Sequence, residues 1–208
     1  MKTFYINLLD DYKRRQKFLG CNFHRWEACS REEVPDELDK KMKSMWNFPR
    51  QSHLGRCGCF MSHYELYTYI VEMELNDVLI CEDDAVHVKD LPKEYPNDGI
   101  TYLGGFLHQT KMMDNSKVNV DLKEGINYIN DFRVLMTMSY IIPRWEIAKD
   151  ILDYIDARPR YKAIDIMLGD MGIPKYLEYP ACFVEEGCDS TISKKTKKSN
   201  NKYEWIKI

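Results

Sequence analysis

Val78-Leu79-Ile80-Cys81-Glu82-Asp83-Asp84 places four apolar residues directly before three consecutive carboxylates. The apolar run reads as a buried central strand of an α/β sheet. Ligands of open α/β sheets bind beyond the carboxyl ends of the strands, where these acids would sit. Three adjacent carboxylates repel one another unless a cation gathers them. Mg²⁺ and Mn²⁺ prefer oxygen ligands, and Mg²⁺ is commonly held by one or two carboxylates together with substrate phosphates. The pattern therefore predicts a metal–phosphate site at a strand end. The competing reading is a solvated acidic turn.

The elements that would position these acids can be read along the chain. Thr3–Leu8 predicts a first strand, followed by Asp10 as N-cap and a helix over Asp11–Leu19 that Gly20 ends. Phe23–Ala28 predicts a second strand, Pro35–Met45 a charged surface helix, and Asn47–Gly58, with its Pro, Ser and Gly, a loop. Ser62-His63-Tyr64-Glu65 has the form of a capping box opening a helix that carries Leu66, Ile70 and Met73. Ile100–Leu103 predicts a strand closed by Gly104-Gly105, and residues 108–125 a polar, irregular loop near the site. Val134–Ile142 predicts a further strand, Pro143 the first position of a helix over Arg144–Ile155, Lys162–Leu168 a short helix stopped by Gly169, and Tyr176–Val184 the last strand. Alternating strands and helices argue an α/β class.

The totals fit one domain. The chain has 208 residues, 44% hydrophobic and 30% charged, with a formal net charge of -3 that gives no hint of nucleic-acid binding over the whole chain. No stretch approaches the roughly 18 apolar residues of a membrane span, and the strand pattern begins too early to leave room for a signal peptide. Seven scattered cysteines, an odd number, predict reduced thiols and a cytoplasmic setting. Cys57-Gly58-Cys59 is not a zinc spacing, and no second Cys/His pair accompanies it.

Several segments, in order, carry a family likeness. They are Tyr5-Ile6-Asn7-Leu8 with Arg14-Arg15, Arg25-Trp26-Glu27-Ala28, the segment from Gly55 to His63 of the form G-x-x-G-C-x-x-S-H, the Val78–Asp84 strand and acids, Tyr102-Leu103-Gly104, Ser139-Tyr140-Ile141-Ile142, Asp165, Tyr179-Pro180 and Ser190-Thr191-Ile192. In this order the chain resembles glycosyltransferase family 25, the lipooligosaccharide and collagen galactosyltransferase-like group. The resemblance implies a GT-A type nucleotide-diphospho-sugar transferase fold, a Rossmann-like mixed sheet flanked by helices. It also implies a UDP-sugar donor, most often of galactose, and a glycan, glycolipid or glycoprotein acceptor. On this reading residues 1–192 form the glycosyltransferase domain and 193–208 a basic, aromatic tail.

The resemblance implies roles for single residues. Asp84 is assigned to Mn²⁺ or Mg²⁺, and Glu82 to the metal, the ribose or a metal-bound water. Asp83, between them, would point back into the protein by strand alternation. Glutamate in the first position departs from a strict D-x-D. Asn7 and Leu8 would line the nucleotide pocket, and Arg14 or Arg15 would reach the diphosphate unless they form a solvated helix face. Ser62 is either an N-cap or, with His63, a contact to donor or diphosphate. Gly104 would let backbone approach the donor sugar, or simply make a tight turn. Asp165 is the candidate general base of an inverting transfer, with helix capping or an ion pair to Lys162 as its structural alternatives. No second acid follows it, since Ile166 and Met167 stand there. His24, His53, His87 and His108 are taken as surface or core residues.

Two other classes compete. A catalytically silent glycan-binding module would have no need of the carboxylate cluster. A metal-dependent phosphoesterase or nuclease would want more acids or histidines converging from other strands. The tail lysines 194, 195, 197 and 198 fit a solvated terminus or a peripheral contact with anionic lipid, where each lysine is worth about 1 kcal/mol.

Overall fold

A computed structural model of the chain describes residues 1–42, 49–109, 121–185 and the pair 206–207. The chain opens with β1 (Lys2–Asn7), α1 (Tyr12–Arg15) continued by a 3₁₀ turn (Gln16–Phe18), β2 (His24–Glu27), α2 (Asp36–Met42) and the long α3 (Arg50–Glu72). It continues through β3 (Val78–Glu82), β4 (Ala85–His87), β5 (Ile100–Gln109), β6 (Gly125–Tyr128) and β7 (Phe132–Ile142). It ends with α4 (Trp145–Asp156), α5 (Ile164–Asp170), β8 (Lys175–Tyr179), β9 (Phe183–Glu185) and β10 (Ile206–Lys207). The main sheet runs β2-β1-β3-β7-β5-β8-β6, with β10 also pairing β5, while β4 and β9 form a separate ribbon. β1 is parallel to β2 and β3, and β7 is antiparallel to both β3 and β5. The sheet is therefore mixed, and helices flank it.

β3 is apolar at every position because both of its faces are covered. Val78 and Ile80 join the cluster that contains Leu66 and Ile70 of α3 and Ile147 and Ile151 of α4. Leu79 and Cys81 face the opposite cluster, with Tyr5, Phe18, Leu103 and Phe183. Each of the four is fully buried. Burying such side chains contributes roughly 1.5–3 kcal/mol apiece, which fixes the strand's position and the point at which the acids emerge. Parity then carries past residue 81. Glu82 belongs to the α3 face and Asp83 to the α1 face.

Glycine marks close contact more often than chain ending. α3 begins at Arg50, so residues 50–58 are helical and the predicted loop there is corrected; residues 43–48 lie outside the described chain. A Cβ on Gly58 would sit 2.5 Å from the Cys29 carbonyl oxygen, so the glycine lets the chain leaving β2 lie against α3. Ser62 completes that contact from mid-helix, donating to the Gly58 carbonyl at 2.7 Å and accepting from the Cys29 amide at 2.9 Å. It is not an N-cap, and the capping-box reading is corrected with it.

β5 likewise runs through Gly104-Gly105 to Gln109 instead of closing there. A Cβ on Gly104 would meet the Phe183 carbonyl oxygen at 2.5 Å, and Gly105 has φ +135° with the Val134 side chain and Leu135 carbonyl against it. Here the β5–β7 register shifts, and Met136 of β7 takes φ +63°.

Smaller corrections follow from local geometry. Asp11, not Asp10, caps α1, accepting from the Arg14 amide at 3.1 Å. Pro143 precedes the cap residue Arg144 of α4, and Gly169 lies inside α5. The predicted last strand is two strands, β8 and β9, with a cis Tyr179–Pro180 peptide between them. β6 had no prediction of its own and falls inside or just after the expected loop, of which residues 110–120 lie outside the described chain. The tail is outside it too, except that Ile206 and Lys207 pair antiparallel with Leu107 and Phe106. No described helix is long and apolar enough to cross a membrane. The six described cysteines are free thiols.

Candidate active site

The carboxyl ends of β1 and β3 open into a cavity of about 670 Å³, walled by α3, the β7 bulge and the start of α5. The three acids leave β3 in different directions. Asp83 turns to the α1 face, where Oδ2 accepts from Asn7 Nδ2 at 2.8 Å and Oδ1 from Arg14 Nη1 at 2.6 Å. Arg14 is itself buried. Burial raises the Asp83 carboxyl above the usual aspartate range, while Asn7 and Arg14 oppose it.

Glu82 turns the other way, toward α3. Its Oε1 accepts from the Thr137 hydroxyl and lies 3.5 Å from His63 Nε2. Burial would raise the Glu82 carboxyl, but His63 first, then Thr137 and Arg14, outweigh it and hold the group below the usual range. His63 is fully buried, and its Nδ1 lies 2.7 Å from the Tyr140 hydroxyl, which in turn lies 2.6 Å from the Tyr67 hydroxyl. A chain of polar groups thus runs from the core to Glu82. Thr137 reaches the acid because the β7 irregularity re-aims it.

Asp84 has the weakest partnership of the three. Among the described residues its nearest cation is Arg14, 3.9 Å away, and its side chain is only 15% exposed. Burial first, then the charges of Glu82, Asp83 and Glu185, push its carboxyl from 3.8 to about 7 against the pull of Arg14. Glu185 comes from β9, which pairs with Ala85. A raised carboxyl pKa means that the folded state holds a proton the unfolded chain has released. In EDTA, stability is therefore expected to fall as pH rises from about 4 to about 7. The Tm difference between Asp84→Asn and wild type, followed against pH, should open over that window and close below it. A difference independent of pH would show that Asp84 carries no such burden.

Asp165 enters from the first turn of α5. Oδ2 accepts from the Met136 amide at 3.2 Å and Oδ1 from the Ile166 amide at 2.8 Å. Burial raises its carboxyl above the ordinary aspartate value, against these two hydrogen bonds and the charge of Arg56. Lys162, the partner in one structural alternative for Asp165, pairs with Asp170 instead, at 2.7 Å.

Of the residues singled out in the sequence, Asn7, Leu8, Arg14, Ser62, His63, Glu82, Asp83, Asp84 and Asp165 all border this cavity. Several are already engaged by the protein. Asn7 also contacts the Asp11 carbonyl, and Arg14 holds Asp83 rather than projecting freely. Arg15 bonds the Leu9 carbonyl at 2.6 Å. Gly104 is not among the residues bordering the cavity and instead meets the Phe183 backbone. Sequence reading missed Arg56, Thr137 and Glu185, all of which border it. Arg56 stands inside the quoted G-x-x-G-C segment, Thr137 is a hydroxyl in an apolar strand, and Glu185 had no signal.

Residues 1–168 match glycosyltransferase family 25, described as an LPS biosynthesis protein family. A stretch of 94 residues is 32% identical to a glycosyltransferase 25 family member of Drosophila pseudoobscura pseudoobscura, covering 39% of this chain and 15% of that protein. A stretch of 96 residues is 29% identical to a glycosyltransferase 25 family member of Drosophila melanogaster, covering 40% of this chain and 16% of that protein. These stretches therefore take up a small part of the relatives' length. With the family match extending over most of its 208 residues, the chain belongs to glycosyltransferase family 25.

Proposed function

We propose that this chain transfers a hexose, galactose foremost, from a UDP-sugar to a hydroxyl of a glycan, lipooligosaccharide or glycoprotein acceptor, with inversion and with a divalent ion. Family membership implies the GT-A-like fold on which this would occur. The observation that carries the reading is Asp84, a half-buried carboxyl just beyond β3 whose nearest cation among the described residues stands 3.9 Å off, in a cavity that Asp165 also borders.

The donor set fits a hard ion. Oxygen ligands on a shared acidic wall suit Mg²⁺ or Mn²⁺, and the mutual repulsion that raises Asp84 is what such an ion relieves. Asp84, with Glu82 beside it, would hold the ion, which when bound stabilises the charge of the leaving diphosphate as a Lewis acid. His63 and Thr137 act on Glu82, keeping it ionised and oriented toward the cavity. Asn7 and Arg14 hold Asp83 aside, so that Asp84 alone of the turn acids remains without a short ion pair. Asn7 and Leu8 form the nucleotide wall.

In the transfer, the acceptor oxygen bonds to the anomeric carbon as the bond from that carbon to the diphosphate breaks. The acceptor's hydroxyl proton passes to the Asp165 carboxylate. Burial makes that carboxylate more basic than a solvated aspartate, which suits a general base.

The test is nucleotide release across UDP-, GDP- and CMP-sugars, with Mn²⁺ or EDTA and a panel of acceptor glycans. Metal-dependent release of UDP from one UDP-sugar, increased by an acceptor, is expected. Silence across the panel while UDP still binds would favour the glycan-binding module. Silence with no UDP binding would remove the donor site altogether.

A further inference from the structure

A second group of side chains with metal-ligand chemistry lies between α2 and the first turns of α3. Asp39 and Cys57 are buried, and His53 is largely covered. His53 and Cys57 stand four residues apart and so share one face of α3. Asp39 faces them from α2. Their ligand atoms lie within 4.8 Å of one another.

The contacts converge on one atom. His53 Nε2 lies 2.7 Å from Asp39 Oδ1 and 3.5 Å from Cys57 Sγ. With Nε2 protonated, the ring donates to the Asp39 carboxylate and the Cys57 sulfur beside it is at most a weak acceptor; with Nε2 deprotonated, the same atom offers a lone pair toward both neighbours. A tetrahedral ion would take the place of that ring proton and be held by all three groups at once. With Zn–N and Zn–S lengths of about 2.0–2.1 and 2.3 Å, nitrogen and sulfur ligands sit roughly 3.5 Å apart, the spacing found here. The nitrogen–oxygen pair, 2.7 Å apart, needs to open to roughly 3.4 Å for Zn–N and Zn–O lengths of about 2.0–2.2 Å. Arg50 Nη1 lies 2.7 Å from both Asp39 oxygens, so it can keep Oδ2 while Oδ1 turns to the ion. That is the outer hydrogen bond which ligating carboxylates usually carry.

We propose that Asp39 Oδ1, His53 Nε2 and Cys57 Sγ form a zinc site that ties α2 to the start of α3, separate from the donor cavity. Thiolate, imidazole and carboxylate together suit Zn²⁺, with water in the fourth position. Binding releases the Cys57 thiol proton to solvent as the sulfur–zinc bond forms. Zinc spacing sought between cysteines misses this arrangement, because the second ligand on the helix is a histidine. The site would brace the end of α3 that presents Gly55, Arg56 and Cys59 to the cavity.

Titration of the full chain with Co²⁺ alone, without nucleotide, tests it. One equivalent of Co²⁺ should produce a thiolate-to-cobalt charge-transfer band and tetrahedral visible bands, both removed by one equivalent of Zn²⁺. Cys57→Ser and His53→Gln should each lose the charge-transfer band, while Asp84→Asn and Cys59→Ser should keep it. The Cys59→Ser arm matters because Cys59, His63 and Glu82 form another convergent group inside the cavity. No band in the wild type, a band surviving Cys57→Ser, or one lost in Cys59→Ser would overturn the proposal. Circular dichroism checks each variant's fold. Should Cys57→Ser not fold, His53→Gln, at the less covered ligand, reads the same band.

Discussion

Asp84→Asn is expected to lower metal-dependent transfer by roughly 10²–10³-fold, the scale on which removing one preorganised electrostatic group acts. The amide keeps the shape and one carbonyl oxygen but loses the charge. The loss should fall on kcat with a saturating UDP-sugar and Mn²⁺, because the stabilised charge belongs to the departing diphosphate. The fold should not suffer. The wild-type carboxyl is pushed to about 7 by burial and neighbouring acids, so removing its charge at pH 8 relieves a strain that the apo protein carries. Lower activity together with an equal or higher Tm in EDTA is thus the joint expectation. Activity lost through unfolding would lower both. Full activity at saturating Mn²⁺ would move the ion away from this acid.

Arg14→Met is expected to have the largest effect on stability, about 3–5 kcal/mol at neutral pH, as for other broken buried ion pairs. Arg14 is 9% exposed and Asp83 13%, and Nη1 lies 2.6 Å from Asp83 Oδ1. Without the guanidinium, the Asp83 carboxylate keeps its hydrogen bond from Asn7, with Lys17 on the Asp83 backbone carbonyl, and stands beside Asp84 and Glu82. At about 2–4 °C per kcal/mol for a chain of this size, Tm should fall by roughly 10 °C. The deficit should shrink at low pH. Burial has already raised the Asp83 carboxyl, the variant raises it further, and protonation removes the unpaired charge. Thermal unfolding at pH 4.5 and pH 7.5 reads this out, and an equal loss at both would mean that packing of the arginine stem, not charge, is what was removed.

The parts of the fold legible in sequence are those where one physical demand dominates. Val78–Cys81 is buried on both faces, so no polar residue interrupts it, and the following acids can only be a strand end. Ile147, Ala148, Ile151 and Ile155 repeat at helical spacing because α4 buries one face. Glycine misled where tertiary contact, not local conformation, required it. Gly58 sits mid-helix because the Cys29 carbonyl occupies the place of its side chain, and Gly104 sits mid-strand because Phe183 does. No window of sequence contains both partners. The candidate site was legible for the same reason as β3, since its acids are adjacent in sequence. Thr137 was not, because its contact with Glu82 depends on a register shift between two strands. Cys57 was weighed only with Cys59, and His53 only as a surface or core residue, because their third companion, Asp39, lies on another helix.

The alternation that sends Glu82 toward His63 and Asp83 toward Arg14 also partitions how the site tolerates change. The two hydrogen-bonded sets meet through charge, since Arg14 acts on Glu82 and Asp84 as well as on Asp83, so charge-changing substitutions on one side should couple to those on the other, while charge-preserving ones should combine more nearly independently. Within a face they should not, since His63, Thr137 and Glu82 form one connected set and Asn7, Arg14 and Asp83 another. Adjacent acids in the chain thus answer to different hydrogen-bond partners while sharing the charge of Arg14. A compensating change for the hydrogen bonds lost in a lesion at residue 82 is to be sought on α3 or β7, where His63 and Thr137 stand, not next door in the sequence.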